Sequence, residues 1–303
     1  MDPGLQWLLA SSDPAVRNLA GSDLLGSPFD RAAPLQSPRV QKLLPPHPGH
    51  PYGNKWKGAH WRLVSLVELG VGPEPPVRTA VEQVLAWVAG ERPVRMVAGL
   101  ERRHASMEGN ALAVSCRLGL AGDQRVRRLR DRILQSQWPD GGWNCDPGRK
   151  VRHSSFHESL ATLWGLIEYE RATHDGSVRD AADRAAEFFL RHRLFRSERT
   201  GGIGDPEWVK LHYPPYWHFD ILQALLVLSR GRKLDRRCDE ALDLLESKRR
   251  PDGTWQPSGL RYWRGEGERV NKDVIEWGGS GPNDMLTLNA LRVLQAAGRV
   301  SLG

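Results

Sequence analysis

Four side chains within one short stretch could do chemistry, and they belong to Cys145, Asp146, His153 and His157. Thiolate, imidazole and carboxylate groups are the usual ligands of zinc, and histidine also serves as a general acid or base. His153 and His157 are four residues apart, a spacing that places two side chains on one face of a helix. The stretch therefore predicts a metal or catalytic site, or the junction between two units of a helical repeat.

A zinc site needs four protein ligands, or three together with a water molecule. The candidate ligands are Cys145, His157, His218 and Asp220. No Cys-x2-Cys or His-Glu-x2-His spacing accompanies them. Helix caps and an interfacial histidine account for the same residues, because Asp and Asn are common at helix starts. Zinc is the one cofactor that the sequence suggests. The alternative, that these residues are helix caps and an interfacial histidine, stays open.

Five apolar segments with helical spacing recur along the chain, roughly 50 residues apart, which is the scale of a helical-pair repeat. They begin at Gly58, Asn110, Phe156, Trp217 and Asn283. More polar, amphipathic segments lie between them: VRTAVEQVLAWVAG, DQRVRRLRDRILQSQ, VRDAADRAAEFFLRHRL and LDRRCDEALDLLESKR. No segment alternates with a period of two, so the pattern predicts an all-α repeat fold without a sheet.

Tight turns recur with the helices, as WPDGGW at 138–143 and RPDGTW at 250–255, with a weaker relative, SERTGGIG, at 197–204. Proline early in the turn and glycine where φ is positive favour such turns. The tryptophan that follows each turn can pack against the next unit. By contrast, 264–282 has no helical pattern and is expected to form a long loop.

The pattern Gln137-x3-Gly141-x-Trp143, joined to alternating apolar and polar helices, resembles the terpenoid cyclase and protein prenyltransferase superfamily. In squalene–hopene cyclases it is the repeated QW motif, and the second copy here has Arg249 in place of glutamine. The segment FHESLATLWGL is similar to an inner-helix opening of prenyltransferase β subunits. The resemblance covers roughly residues 55–300, while fold by itself does not fix function.

The resemblance implies an α/α toroid, with inner and outer rings of helices around a central cavity. It divides the chain into an N-terminal helical pair with a proline-rich connector, 1–54, and a toroid domain, 55–303. The inner helices would begin at one mouth of the cavity, where helix dipoles favour anions such as a diphosphate. The residues at these starts are His60 with Trp61, Glu108 with Asn110, His157 with Glu158, His218 with Asp220, and Asn283 with Asp284.

The working hypothesis is a cavity that binds a hydrophobic, isoprenoid-like small molecule. The candidate catalytic residues are His157, His218, Asp220 and Glu108, with the histidines as acid, base or metal ligand and Asp220 and Glu158 orienting or ligating. The candidate ligand-binding residues are His60, Trp61, Asn110, Phe156, Tyr213, Tyr216, Trp217, Phe219, Asn283 and Asp284. Aromatic faces can stabilise a carbocation or line such a pocket, although core packing is the more common role of any single ring.

The family's own catalytic motifs are missing, so catalysis stays open. The sequence has no Asp-x-Asp-Asp and no Asp-Asp-x2-Asp, and at 303 residues it has the length of about one toroid. The Asp-x-Cys of the prenyltransferase zinc site would fall on Glu108-Gly109-Asn110, and its histidine on Glu158. Two alternatives therefore remain: a non-catalytic scaffold that binds protein or peptide, and a zinc-dependent transferase with altered ligands.

Composition bounds the partners and the location. The net charge is +7 and the pI about 9.6, but the arginines are interleaved with acidic residues and no nucleic-acid motif is present. No apolar run is long enough to span a bilayer, which leaves peripheral membrane contact as the remaining membrane role. The basic-poor N-terminus and three scattered cysteines predict a cytoplasmic protein without disulfides.

Overall fold

The computed structural model describes residues 1–47, 49–53, 55–91, 93–231, 234–258, 273–279 and 281–302. Of the long loop predicted at 264–282, residues 264–272 and 280 lie outside this description. The helices are α1 (Pro3–Leu9), α2 (Pro14–Leu25), α3 (Pro38–Leu43), α4 (Ala59–Glu68), α5 (Pro75–Val88), α6 (Ala105–Arg117), α7 (Gln124–Gln135), α8 (Phe156–Thr173), α9 (Arg179–Arg191), α10 (Ile221–Gly231), α11 (Asp239–Ser247) and α12 (Asp284–Ala296).

Helices α4, α6, α8, α10 and α12 form an inner ring. They are buried on nearly all faces, and each one packs against the next in chain order. Helices α5, α7, α9 and α11 bury one face against them and form the outer layer. Helices α1 and α2 pack against α12, so they stand beside the last member of the ring. The predicted all-α, α/α-toroid fold is confirmed, while the domain division at residue 54 stays a prediction.

The expectation of no sheet is wrong at one place. Strands β1 (Arg95–Val97) and β2 (Leu100–Arg102) pair antiparallel through a two-residue loop, Ala98-Gly99. Both loop residues have positive φ, 53° and 79°, as a tight hairpin turn of the primed type requires. Three-residue strands are too short to show an alternating pattern, which is why the sequence did not reveal them.

The closest helix packing, between α6 and α8, depends on glycine. A Cβ at Gly109 would lie 2.5 Å from the carbonyl oxygen of Ala161, and a Cβ at Gly165 would lie 2.6 Å from the carbonyl oxygen of Gly109. No side chain fits at either distance, so the two backbones touch directly. This contact fixes the relative position of the two helix starts, which carry several of the candidate site residues.

The two tight turns have the same backbone hydrogen bonds and the same side-chain brace. Gln137 donates from Nε2 to the Gly141 carbonyl over 2.7 Å, and Arg249 donates from Nε to the Gly253 carbonyl over 3.2 Å. Both glycines have positive φ, 104° and 83°. The arginine that makes the second motif degenerate in sequence therefore provides the same brace as the glutamine. That these turns correspond to the QW motif of the cyclases stays a prediction.

The tryptophans after the two turns are also equivalent. The indole of Trp143 donates to the Ile133 carbonyl over 3.0 Å, and the indole of Trp255 donates to the Leu245 carbonyl over 2.8 Å. Their backbone N–H groups donate to hydroxyls of the following inner helix, Ser159 and Thr287, both over 3.0 Å. Each turn thus ties an outer helix to the next inner helix.

Two inner helices begin elsewhere than the apolar pattern indicated. Helix α6 begins at Ala105, before the predicted start at Asn110, and α10 begins at Ile221, after the predicted start at Trp217. Asp13 caps α2 with Pro14 in the first turn, and it accepts from the Ala15 N–H over 2.9 Å. None of the described helices combines the length and apolar character needed to cross a membrane.

Candidate functional site

A cavity runs along the axis of the inner ring and is lined by residues from all five inner helices and by the segment 213–218. Its walls are mainly apolar and aromatic. The cavity volume is about 620 Å³ if the open space at its mouth is included. The part that is accessible to a water-sized molecule is much smaller, about 60 Å³. The smaller volume is enough for a few water molecules.

The floor of the cavity is an ion-pair network at the C-terminal ends of the inner helices. Glu68 at the end of α4 accepts from Arg117 over 2.6 Å and from Arg230 over 2.8 Å. Burial alone would raise the pKa of Glu68, but Arg230 and Arg117 more than reverse that effect and lower it to about 2. The carboxylate is therefore charged at neutral pH and holds three inner helices together.

Two side-chain amide nitrogens in the walls have no hydrogen-bond partner among the described residues. Asn110 on α6 and Gln223 on α10 line the cavity and are 4% and 8% exposed. The amide nitrogens of both side chains are buried and donate to no partner among the described residues. A buried donor without a partner costs free energy, so these groups favour an oxygen acceptor inside the cavity.

The aromatic segment 213–218 lies at the mouth. Tyr213 and Tyr216 are buried, and the Tyr216 ring stacks on Trp56 with centroids 4.6 Å apart. Trp217 is 44% exposed, and its ring packs on His157 and His218 with centroid distances of 5.2 and 4.2 Å. Trp217 therefore covers the mouth from the solvent side.

His157, in the first turn of α8, and His218, three residues before α10, lie together at this mouth, where both rings contact Trp217. Burial lowers the pKa of His157. Burial, with His212 and His157 nearby, lowers the pKa of His218 to about 4. Both imidazoles are neutral at pH 7, so they can accept a proton or a hydrogen bond but supply no positive charge.

Asp220 does not line the cavity. One oxygen accepts from the backbone N–H of His212 over 2.9 Å and lies 3.1 Å from its Nδ1, and the other accepts from the Gln223 N–H over 2.9 Å. It thus caps α10 and orients His212, a buried histidine that the sequence pattern did not single out. The sequence signal available for His212 was its position in the segment LHYPPYWHFD, eight residues before the capping Asp220.

Three other predicted polar residues hold helix ends. Glu108 accepts from Arg103 over 2.8 Å. Asn283 caps α12 by accepting from the Leu286 N–H over 2.9 Å. Asp284 accepts from both terminal nitrogens of Arg39, over 2.9 and 2.6 Å, which joins α12 to α3. These carboxylates and amides are not among the residues that line the central cavity.

The remaining predicted aromatic residues lie in two packed clusters beside the cavity. Trp61 lies with Trp56 and Tyr216 in the first cluster, and His60 packs against Trp61, where burial lowers its pKa to about 3. Phe156 and Phe219 lie in the second, where their ring centroids are 4.9 Å apart. Of the predicted ligand-binding residues, Asn110, Tyr213, Tyr216 and Trp217 line the cavity.

Cys145 lies in a different place from the other predicted metal ligands. Its thiol joins His104 and Glu158, and one donor atom from each of the three lies within 4.8 Å of the others. Burial and the neighbouring Glu158 raise the pKa of the Cys145 thiol to about 12. His157 and His218 lie at the cavity mouth instead, and Asp220 is engaged by His212. His153 and Asp146 are exposed in the loop between the turn and α8.

No protein-family model and no curated protein sequence matches the chain. Solved structures that resemble it include a protein from Actinoplanes, with 18% identity over 98% of this chain and 88% of the other and a TM-score of 0.46. A variant of the type II terpene cyclase MstE from Scytonema, in complex with geranylgeranyl dihydroxybenzoate, has 14% identity over 93% and 87% and a TM-score of 0.45. A GH76 α-mannanase from Bacteroides thetaiotaomicron has 13% identity over 79% and 68% and a TM-score of 0.43. Likenesses this distant carry no argument about activity.

Proposed function

We propose that the central cavity binds a hydrophobic, isoprenoid-like small molecule that has at least one oxygen acceptor. The observation that carries this proposal is the pair of unpartnered amide donors, Asn110 and Gln223, in an otherwise apolar and aromatic cavity. Small-molecule sites are concave and mostly apolar, with a few polar groups that fix the orientation of the ligand. An alcohol, ether or ketone oxygen would satisfy either amide.

The charges around the cavity favour a neutral ligand. Glu68 and Arg230 on the floor are already paired with each other, and burial keeps the two histidines at the mouth neutral at pH 7. A diphosphate would find no protonated histidine there. The ligand class supported is therefore an isoprenoid alcohol or ketone rather than an isoprenoid diphosphate.

The narrow interior requires the mouth to open before such a ligand enters. Pockets for drug-sized ligands measure about 300–1,000 Å³, whereas the closed interior here is about 60 Å³. Trp217 is the half-exposed residue of the covering segment, and its ring rests on His157 and His218. Replacing Trp217 by alanine should accelerate ligand association, measured by stopped-flow fluorescence. An unchanged association rate would contradict its role as a cover.

The binding test uses farnesol and a saturated hydrocarbon of the same length, titrated against the purified chain by calorimetry. Farnesol should bind saturably, and Gln223→Met should weaken farnesol binding about fivefold, because one hydrogen bond contributes about 1 kcal/mol. The hydrocarbon should be insensitive to the same change. Gln124→Met, at an exposed position on α7, is the matched control. Equal loss of both ligands would refute the hydrogen bond, and no saturable binding of either would refute the proposal.

A second candidate function is a non-catalytic toroid scaffold that binds protein or peptide, and the small interior volume favours it. If Trp217→Ala also fails to bind farnesol, the cavity is filled by its own side chains and the scaffold is the better account. Retained farnesol binding by the unmodified chain would count against it.

A further inference from the structure

We propose that His104, Cys145 and Glu158 bind one zinc ion and leave its fourth coordination position open. This cluster is separate from the cavity lining, so the proposal does not depend on the bound isoprenoid. The three residues come from three segments: the residue before α6, the loop that follows the 138–143 turn, and the first turn of α8.

The chemistry of the three side chains favours zinc over harder cations. A mixed sulfur, nitrogen and oxygen set suits zinc, whereas calcium and magnesium take oxygen ligands. A thiolate and a carboxylate with a neutral imidazole contribute two negative charges, which Zn²⁺ neutralises. Three protein ligands with a fourth position for water or a substrate atom is the arrangement of catalytic rather than structural zinc sites.

The distances require only a small contraction. The donor atoms lie within 4.8 Å of one another, and His104 Nδ1 lies 3.6 Å from Glu158 Oε1. A tetrahedral zinc ion with bonds of about 2.0–2.3 Å holds its ligand atoms roughly 3.3–3.8 Å apart. The His104 side chain is 63% exposed, so its ring can rotate toward the thiol without displacing packed atoms.

One hydrogen bond orients Glu158, and another ties the segment that carries His104 to the segment that carries Cys145. The Ser106 N–H donates to Glu158 Oε2 over 2.8 Å, which leaves Oε1 on the side of His104. The Arg103 N–H donates to the Asn144 carbonyl over 3.0 Å, so the residue before Cys145 is tied to the residue before His104. Hydrogen bonds of this kind, made by atoms outside the ligand set, hold metal ligands in place.

Hydrogen bonds between the thiol, the imidazole and the carboxylate would account for the cluster without a metal, so the test must measure the metal itself. The full chain, stripped with a chelator, is titrated with Zn²⁺ against a chromophoric zinc indicator, and with Co²⁺ to detect a sulfur-to-cobalt absorption band. One zinc per chain and a cobalt–thiolate band are expected. The absence of stoichiometric zinc in the wild-type chain would overturn the proposal.

Variants locate the site. Cys145→Ser should abolish the cobalt–thiolate band, and His104→Ala should weaken zinc binding at least tenfold while the circular dichroism spectrum stays unchanged, because His104 is largely exposed. His153→Ala changes an exposed histidine of the same loop and should bind zinc like the wild type. His157→Ala distinguishes this site from a zinc ion at the cavity mouth. Zinc lost in His157→Ala but retained in His104→Ala would overturn the assignment.

Discussion

Replacing Glu68 by glutamine removes the negative charge from the floor of the cavity at nearly constant shape. The carboxylate accepts from Arg117 and Arg230, which lie at the C-terminal ends of α6 and α10. In the variant the guanidinium groups of Arg230 and Arg117, whose side chains are 16% and 29% exposed, lose their counter-charge. Removing one partner of a buried ion pair typically costs about 3–5 kcal/mol. The prediction is a large loss of stability at neutral pH without a change of fold.

The pKa of Glu68 gives a second value for the stability that Glu68→Gln should lose. It is about 2 in the folded chain, against an ordinary value of 4.5. A lowered carboxyl pKa contributes stability that is fully present above about pH 4.5 and is lost as the pH falls toward 2. A shift of about 2.5 units at about 1.36 kcal/mol per unit gives about 3 kcal/mol at pH 7. The same relation leaves about 1.4 kcal/mol at pH 3.

The assay is urea unfolding of the wild type and of Glu68→Gln, followed by tryptophan fluorescence at pH 7, 4 and 3, with circular dichroism to establish that the chain is folded before urea is added. The difference in unfolding free energy should fall by more than half between pH 7 and pH 3. Glu82→Gln is the control, because Glu82 pairs with Arg125 at an exposed site, where such pairs are worth about 0–1 kcal/mol. A difference below about 1 kcal/mol at pH 7, or one that does not vary with pH, would refute the reasoning.

Two further predictions concern the framework that positions the site. Gly109→Ala should destabilise the chain by about 1–3 kcal/mol or more in thermal or urea unfolding, because its Cβ would overlap the α8 backbone. Gly72→Ala is the control, since a Cβ there meets nothing within 4 Å, and it should change stability little. Equal effects of the two substitutions would contradict the close contact between α6 and α8. Trp143→Phe and Trp255→Phe each remove an indole hydrogen bond to an outer-helix carbonyl and should cost similar amounts, about 1–3 kcal/mol. Urea unfolding measures both, and a negligible cost at one position would show that the turns are not energetically equivalent.

Most of the framework follows from patterns along the chain. The five apolar segments become the five inner helices and the four polar segments become the outer helices, because the period of apolar residues determines which faces must be buried. The proline and glycine of WPDGGW and RPDGTW form the expected turns, since positive φ at Gly141 and Gly253 is a local requirement. Arg249 was a departure from the motif in sequence, and only its hydrogen bond to Gly253 shows that it replaces glutamine in function.

The sequence predicted less about the candidate site than about the helical framework. It identified His157, His218, Asn110 and Trp217 as residues at helix starts, and these four line the cavity. It also grouped Cys145 with Asp220, which the structure places against His212 instead.

Periodicity determines which faces of a helix are buried, but it does not determine which atoms from distant segments meet. His104 illustrates the difference: α6 begins before the apolar pattern does, and only the direct backbone contact between α6 and α8 at Gly109 and Gly165 places that histidine beside Glu158 and Cys145. The sequence alone determined which segments form the inner and outer helices and the two tight turns. The tertiary structure decided which of their ends share a site, because that depends on how the ring of helices packs.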